Sequence, residues 1–292
     1  MHTMTTLKTA LLDLLQAIGD PDFCPLIGGG YGIYLKLQLV LAEGNRTLLE
    51  EIPEARSTND IDMFLRTELL TDGERLAPLK QAFEDLGYQA VDGAKFYQFA
   101  KPGPRGGKAG SLKVDLLAGP RDLLRACGLK ADERRVRSNN PKIKELHAHP
   151  VDEAPTVEME CRTLSIEGLL SSGEAGTAKV MLPHPFSFAM MKLFALRDRI
   201  EDQTKGFGCH HALDLYTTLA MTNEDEWFKC IDLRDHLADN IFMKEARTIT
   251  HELFGDKNAL GMIRLKEHPY YTPNLQADKF REALLELFPM CK

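Results

Sequence analysis

Leu7, Leu11, Leu12 and Leu15 recur at helical spacing, so residues 6 to 18 read as an amphipathic helix that "DPDFCP" ends. "PLIGGGYGIYLKLQLVLA" follows as a short apolar strand, a glycine turn and an apolar helix, and "EGNRTLLEEIPEARST" is a polar connection. "DIDMFL" alternates polar and apolar positions as a strand does. "LAPLKQAFEDLG" predicts a helix closed by Gly87. "KFYQFA" and "SLKVDLLAG" predict two strands joined by the loop "KPGPRGGKAG". Residues 120 to 150 predict one helix and an irregular stretch, and "TVEMECRTLSIEGLL" and "AKVML" are further strand candidates. From Pro183 onward the pattern turns helical. The expectation is therefore an α/β (α+β) chain with a mixed sheet flanked by helices over residues 1–183. A helical domain over 184–292 follows, with Trp227, Phe228 and "KFREALLELF" in its packing.

Composition narrows the setting. The chain has 292 residues, and no run approaches the roughly 18 apolar residues of a membrane helix, so no membrane role is expected. Lys8 and Asp13 break the N-terminal apolar stretch, which argues for a surface helix and against a signal peptide. Six cysteines (Cys24, Cys127, Cys161, Cys209, Cys230, Cys291) form no C-x-x-C pair, which fits reduced thiols in a cytoplasm. Net charge is −7, yet Lys101 to Lys144 holds 12 Lys/Arg against 4 Asp/Glu. A basic segment in an acidic protein reads as a localised anion site or as a solvated surface stretch.

Three features carry chemistry. "GGGYG", Gly28 to Gly32, lies between a strand and a helix, where backbone N–H groups can approach a phosphate. It matches neither G-x-x-x-x-G-K-[ST] nor G-x-G-x-x-G, and a plain structural turn is the alternative. Asp60 and Asp62 share one face of a strand, and like charges so close repel unless a cation lies between them. Asp115 in "KVDLL" adds a third acid on a later strand, either as a metal ligand or as a turn cap. Three carboxylates on adjacent strands can bind Mg²⁺ or Mn²⁺, and such ions clamp the oxygens of a phosphoryl displacement. His210 and Asp214, four apart on a helix, are placed to pair, and Lys192 and Arg199, seven apart, share a helix face. Adjacent His210 and His211 point apart, so no zinc site is expected.

The order Gly-Gly, amphipathic helix, D-h-D-h and distal h-D-h resembles the DNA polymerase β-like nucleotidyltransferase superfamily. "RSTNDIDMF", "MKLFALRDR" and "HHALDLYTTL" together resemble AbiE-type bacterial toxins, related to mycobacterial tRNA-modifying toxins. The resemblance spans roughly residues 26 to 220. It implies metal binding by Asp60, Asp62 and Asp115, and nucleotide contacts from Gly28, Gly29, Gly30, Ser57, Lys192 and Arg199. Asp214 would orient Lys192 or contact substrate. It implies transfer of a nucleoside monophosphate from an NTP, with a tRNA 3′ end, a protein hydroxyl or a small molecule such as an antibiotic as acceptor. A cognate antitoxin would be a partner, and an inactive nucleotide-binding regulatory module is the rival reading. Arg105, Lys108, Lys113, Arg134, Arg135 and Arg137 would form a track for an RNA backbone.

Overall fold

The computed structural model describes residues 2–103, 110–139, 143 and 145–290. The chain divides into two compact units, Met1–Gly32 with Ser57–Pro183 and Ile33–Arg56 with His184–Lys292.

The first unit is a mixed sheet with helices. In chain order its elements are α1 (His2–Ile18), β1 (Leu26–Ile27), the first turn of α2 (Gly29–Glu43), β2 (Asp60–Phe64), α3 (Thr67–Thr71), α4 (Ala77–Asp85), β3 (Gln89–Ala90) and β4 (Gln98–Lys101). There follow β5 (Leu112–Ala118), α5 (Arg121–Ala126), β6 (Lys130–Ala131), β7 (Val136–Arg137), β8 (His147–Pro150), β9 (Arg162–Leu169) and β10 (Ala175–Leu182). The strand order is β6-β7-β8-β5-β2-β1-β10-β9, with β4 also on β5 and β3 on β4. The pairs β2–β5, β5–β8 and β1–β10 are parallel.

Period-2 alternation sorts this sheet into two faces. Ile61 lies beside Val114 and Met63 beside Leu116, all four buried. Phe99 of β4, opposite Val114, stacks on Phe83 of α4 with ring centroids 4.4 Å apart. α1 packs on α4, β9 and β10, burying Leu7, Leu11 and Leu14. Each such leucine contributes about 1.5–3 kcal/mol relative to exposure. The opposite face carries Asp60, Asp62, Lys113 and Asp115, all only partly buried. Apolar packing on one face thus commits the acids to the other.

The second unit is helical: α6 (Pro185–Arg197), α7 (Cys209–Ala220), α8 (Glu224–His236), α9 (Ile241–Phe254), α10 (Leu260–Glu267) and α11 (Ala277–Leu287). α6 and α7 are buried almost all round, as helices at the centre of a bundle must be. α8 opens with a capping box between Asn223 and Glu226.

Several expectations change. Residues 33–56, read with the N-terminal stretch, belong to the helical unit. Leu49 lies in its core, and Leu48 N donates to Thr222 O at 2.8 Å. Tyr216 Oη donates to Glu51 O and accepts from Gln276 N, both at 3.0 Å. Within 120–150 the described residues form α5 and also β6, β7 and β8, strands of two to four residues, too short to show a period. Only Arg162–Leu169 of the strand candidate over 156–170 is a strand. Phe228 is 61% exposed, whereas Trp227 packs against the core and Phe280, Leu284, Leu287 and Phe288 are buried.

Leu116→Ala is expected to lower stability by about 2–5 kcal/mol, and Leu123→Ala, at an exposed position, to change it by no more than about 0.5 kcal/mol. Urea denaturation followed by circular dichroism separates the two, and equal effects would contradict the packing described.

Candidate functional site

In the sheet unit the β2–β5 register sets Asp62 beside Asp115 and Asp60 beside Lys113. Lys113 Nζ stands 3.7 Å from Asp60 Oδ1, an atom that is covered and accepts no hydrogen bond. From β4, Gln98 Nε2 donates to Asp115 Oδ1 at 2.8 Å. Burial, then the neighbouring charge of Asp62, pushes Asp115 up to about 6, against the opposing effect of the Gln98 hydrogen bond.

The glycine run meets these acids. Gly28 N donates to Asp62 O at 2.8 Å, and a Cβ on Gly28 would lie 2.7 Å from the Phe64 ring. Gly29 has φ +60°, and a Cβ there would overlap Asp62 Oδ2. Only glycine lets the first turn of α2 come this close to the Asp62 carboxylate. The expected turn is therefore the start of the helix itself, with Gly30 buried behind it. Ser57 is exposed in the loop before β2.

Among the described residues no three His, Cys, Asp or Glu side chains already form a metal cage. The donor chemistry of Asp60, Asp62 and Asp115 nevertheless suits a hard cation. All the donors are carboxylate oxygens, two are in register, and one covered oxygen accepts no hydrogen bond. Bound water and a substrate phosphate would complete such a shell.

The helical unit holds the other candidates. Asp214 on α7 receives Lys192 Nζ from α6 at 2.7 Å and Arg56 through Nε and Nη2 at 3.0 and 2.9 Å. Burial raises the Asp214 carboxyl, but Lys192 and Arg56 outweigh it and hold it well below the usual range. Arg56 opens the string "RSTNDIDMF", and only the fold shows its partner. α6 ends at Arg197, so Arg199 lies beyond the helix and does not share its face with Lys192. Arg199 Nη1 donates to His211 Nε2 at 3.2 Å. Burial and then Lys192 push His211 down to about 2. His210 turns away from Asp214: its Nδ1 is 2.9 Å from His268 Nε2, and His268 Nδ1 accepts from Tyr270 N at 3.0 Å. His268 therefore carries its proton on Nε2 and donates it to His210, a tautomer assigned from these partners.

The basic stretch is largely committed. Arg121 pairs with Asp152 at 2.5 Å, Arg125 donates to Ala131 O at 3.0 Å, and Arg135 and Arg137 face Asp132 at 3.6 and 3.9 Å. Arg105 and Lys108 lie outside the described residues. Gln98 and Lys113 are contacts of the acids that sequence reasoning did not assign. Lys113 stood in view two residues before Asp115, but no local signal marks Gln98.

Asp115 keeps its proton to about pH 6 in the folded protein but loses it near 3.8 as a free group. The native state then binds more protons between those values, so stability falls as pH rises through that window and stays low above it, by at most about 3 kcal/mol. Asp115→Asn is expected to flatten this slope in pH-dependent urea unfolding, and Mg²⁺ at neutral pH to raise the Tm of the parent more than that of the variant. An unchanged slope would place Asp115 outside a charge cluster. In the helical unit, Asp214→Asn removes the buried carboxylate that pairs with Lys192 and Arg56 and is expected to cost about 3–5 kcal/mol at pH 7. The native cluster should lose its contribution as pH falls below the ordinary carboxylate value of 3.8. A variant as stable as the parent in urea would rule out that structural role.

No family model and no curated protein matches the chain, so what the site does is argued from its own side chains.

Proposed function

We propose that this chain is a metal-dependent nucleotidyltransferase that moves a nucleoside monophosphate from an NTP to an acceptor hydroxyl. The observation that supports it is the in-register pair Asp62–Asp115, with Asp60 on the same face, against the glycine-opened start of α2. Mg²⁺ or Mn²⁺ held by Asp60, Asp62 and Asp115 would supply neutralisation of the charge on the phosphoryl oxygens. The N–H groups of Gly29 and Gly30, which open α2, suit the triphosphate. The acceptor oxygen attacks the α-phosphorus, the bond to the bridging oxygen breaks and pyrophosphate leaves. Asp115, its Oδ1 oriented by the hydrogen bond from Gln98 Nε2, would take the acceptor proton. The helical unit offers charge of the right sign. Lys192 and Arg56 both pair with Asp214, and Lys192 would neutralise charge on a bound phosphate. That is the role read for Lys192, with Asp214 fixing its direction. A tRNA 3′ end is the acceptor that the family resemblance suggests, and an antitoxin partner belongs to the same reading.

The test is to incubate the protein with each α-labelled NTP, Mg²⁺ or Mn²⁺ and total RNA, and to resolve RNA, protein and small molecules. Label on RNA is expected, falling at least about 100-fold in Asp62→Asn with an unchanged circular dichroism spectrum. Label on protein or a small molecule alone would move the acceptor to that class. Normal turnover in both Asp62→Asn and Asp115→Asn would overturn the assignment. NTP-dependent stabilisation without any transfer would favour the regulatory module.

A further inference from the structure

We infer a second binding site in the sheet unit: a pocket that takes a single-stranded nucleic acid by stacking a base on Tyr97 and holding its phosphates with Lys95 and Arg134. The pocket has a volume of about 590 Å³ and is lined by Lys95, Phe96, Tyr97, Arg134 and Arg135 among others. That volume lies in the range of roughly 300–1,000 Å³ usual for small-ligand sites. The aromatic floor is fixed. Phe96 stacks on buried His147 at 4.6 Å, with the Arg135 guanidinium 5.3 Å from its ring centroid. Tyr97 is partly exposed and touches His149 at a tilted 5.3 Å. Among the described residues Lys95 and the Arg134 guanidinium make no ion pair or side-chain hydrogen bond, unlike Arg121, Arg125, Arg135 and Arg137. A stacking ring beside uncommitted cations is the pattern that binds single strands, because every base offers a π-face and every linkage a charge. Two acids line the same pocket. Asp132 is taken up by Arg134 N, Arg135 N and the Arg135 side chain at 2.9, 3.0 and 3.6 Å, while Glu133 is exposed.

Strand register ties this pocket to the carboxylates. Arg137 pairs with His147, so two residues along each strand Arg135 and His149 share that face. His149 lies beside Leu117, two residues from Asp115 on the same face of β5. The open face therefore runs from arginines and rings on β7 and β8 to acids on β5 and β2. Gln98, next in sequence to Tyr97, is the residue that holds Asp115. Tyr97 instead reaches the acids' face through its ring contact with His149, which lies beside Leu117, so a strand seated on Tyr97 lies at the edge of that face. The inference rests on the proposed transfer reaction only for the use made of that strand, since binding does not require it.

The experiment is fluorescence anisotropy of a labelled ten-nucleotide single-stranded RNA, and of the DNA of the same sequence, with neither NTP nor metal present. Binding of either supports the site, and the tighter one identifies the source. Tyr97→Ala is expected to weaken binding about tenfold or more, and Tyr97→Phe to retain it. Lys95→Glu and Arg134→Glu should each weaken it and reduce the slope of log K against log salt by roughly 0.7 per contact. Glu133→Gln should tighten it. No binding by the parent protein, parental affinity in Tyr97→Ala and Arg134→Glu together, or duplex bound as tightly as single strand would overturn the inference. Intact binding with no nucleotidyl transfer would remove the transfer reading and leave this site standing.

Discussion

Two carboxylates, Asp62 and Asp115, stand side by side on neighbouring parallel strands, and the sheet unit is organised around that unfavourable pair. Like charges directly opposite one another weaken a sheet. The register is nonetheless held, because slipping β2 by one residue would turn Ile61 and Met63 out of the core. Burial, and then the charge of Asp62, make Asp115 hold its proton to higher pH. Gln98 on one side and the glycine-opened start of α2 on the other occupy the positions a more ordinary side chain would fill.

The helical unit shows the reverse arrangement. One acid, Asp214, pairs with both Lys192 and Arg56, and burial, followed by the charge of Arg56 for His210 and of Lys192 for His211, pushes both histidines toward their neutral forms. Neutral imidazoles there can accept from Arg199 and from His268, so the histidines act as hydrogen-bond partners and not as further charges.

How the basic stretch behaves follows from the same accounting. Its excess of arginine and lysine is visible in composition, yet most of its described members answer acids or carbonyls close by in the fold. Only those left without a partner can serve a ligand. Lys95, one of the two that matter at the pocket, lies outside the segment whose charge drew attention.

The sequence by itself determined the elements whose period is long or whose punctuation is strong. These are the leucine face of α1, the alternation of β2 that puts Asp60 and Asp62 on one face, the Gly87 stop after α4 and the change to helices after Pro183. Each rests on local sterics or on burial of one face, which a chain declares residue by residue. Only the tertiary structure decided the rest. The two- to four-residue strands β6, β7 and β8 exist because neighbouring strands satisfy their backbone, not because their residues prefer it. Residues 33–56 join the helical unit through contacts with Ala220, Thr222 and Gln276, far along the chain. Asp214 pairs with Lys192 and Arg56 instead of His210, because a buried carboxylate is stabilised most by full charges brought to it from other segments.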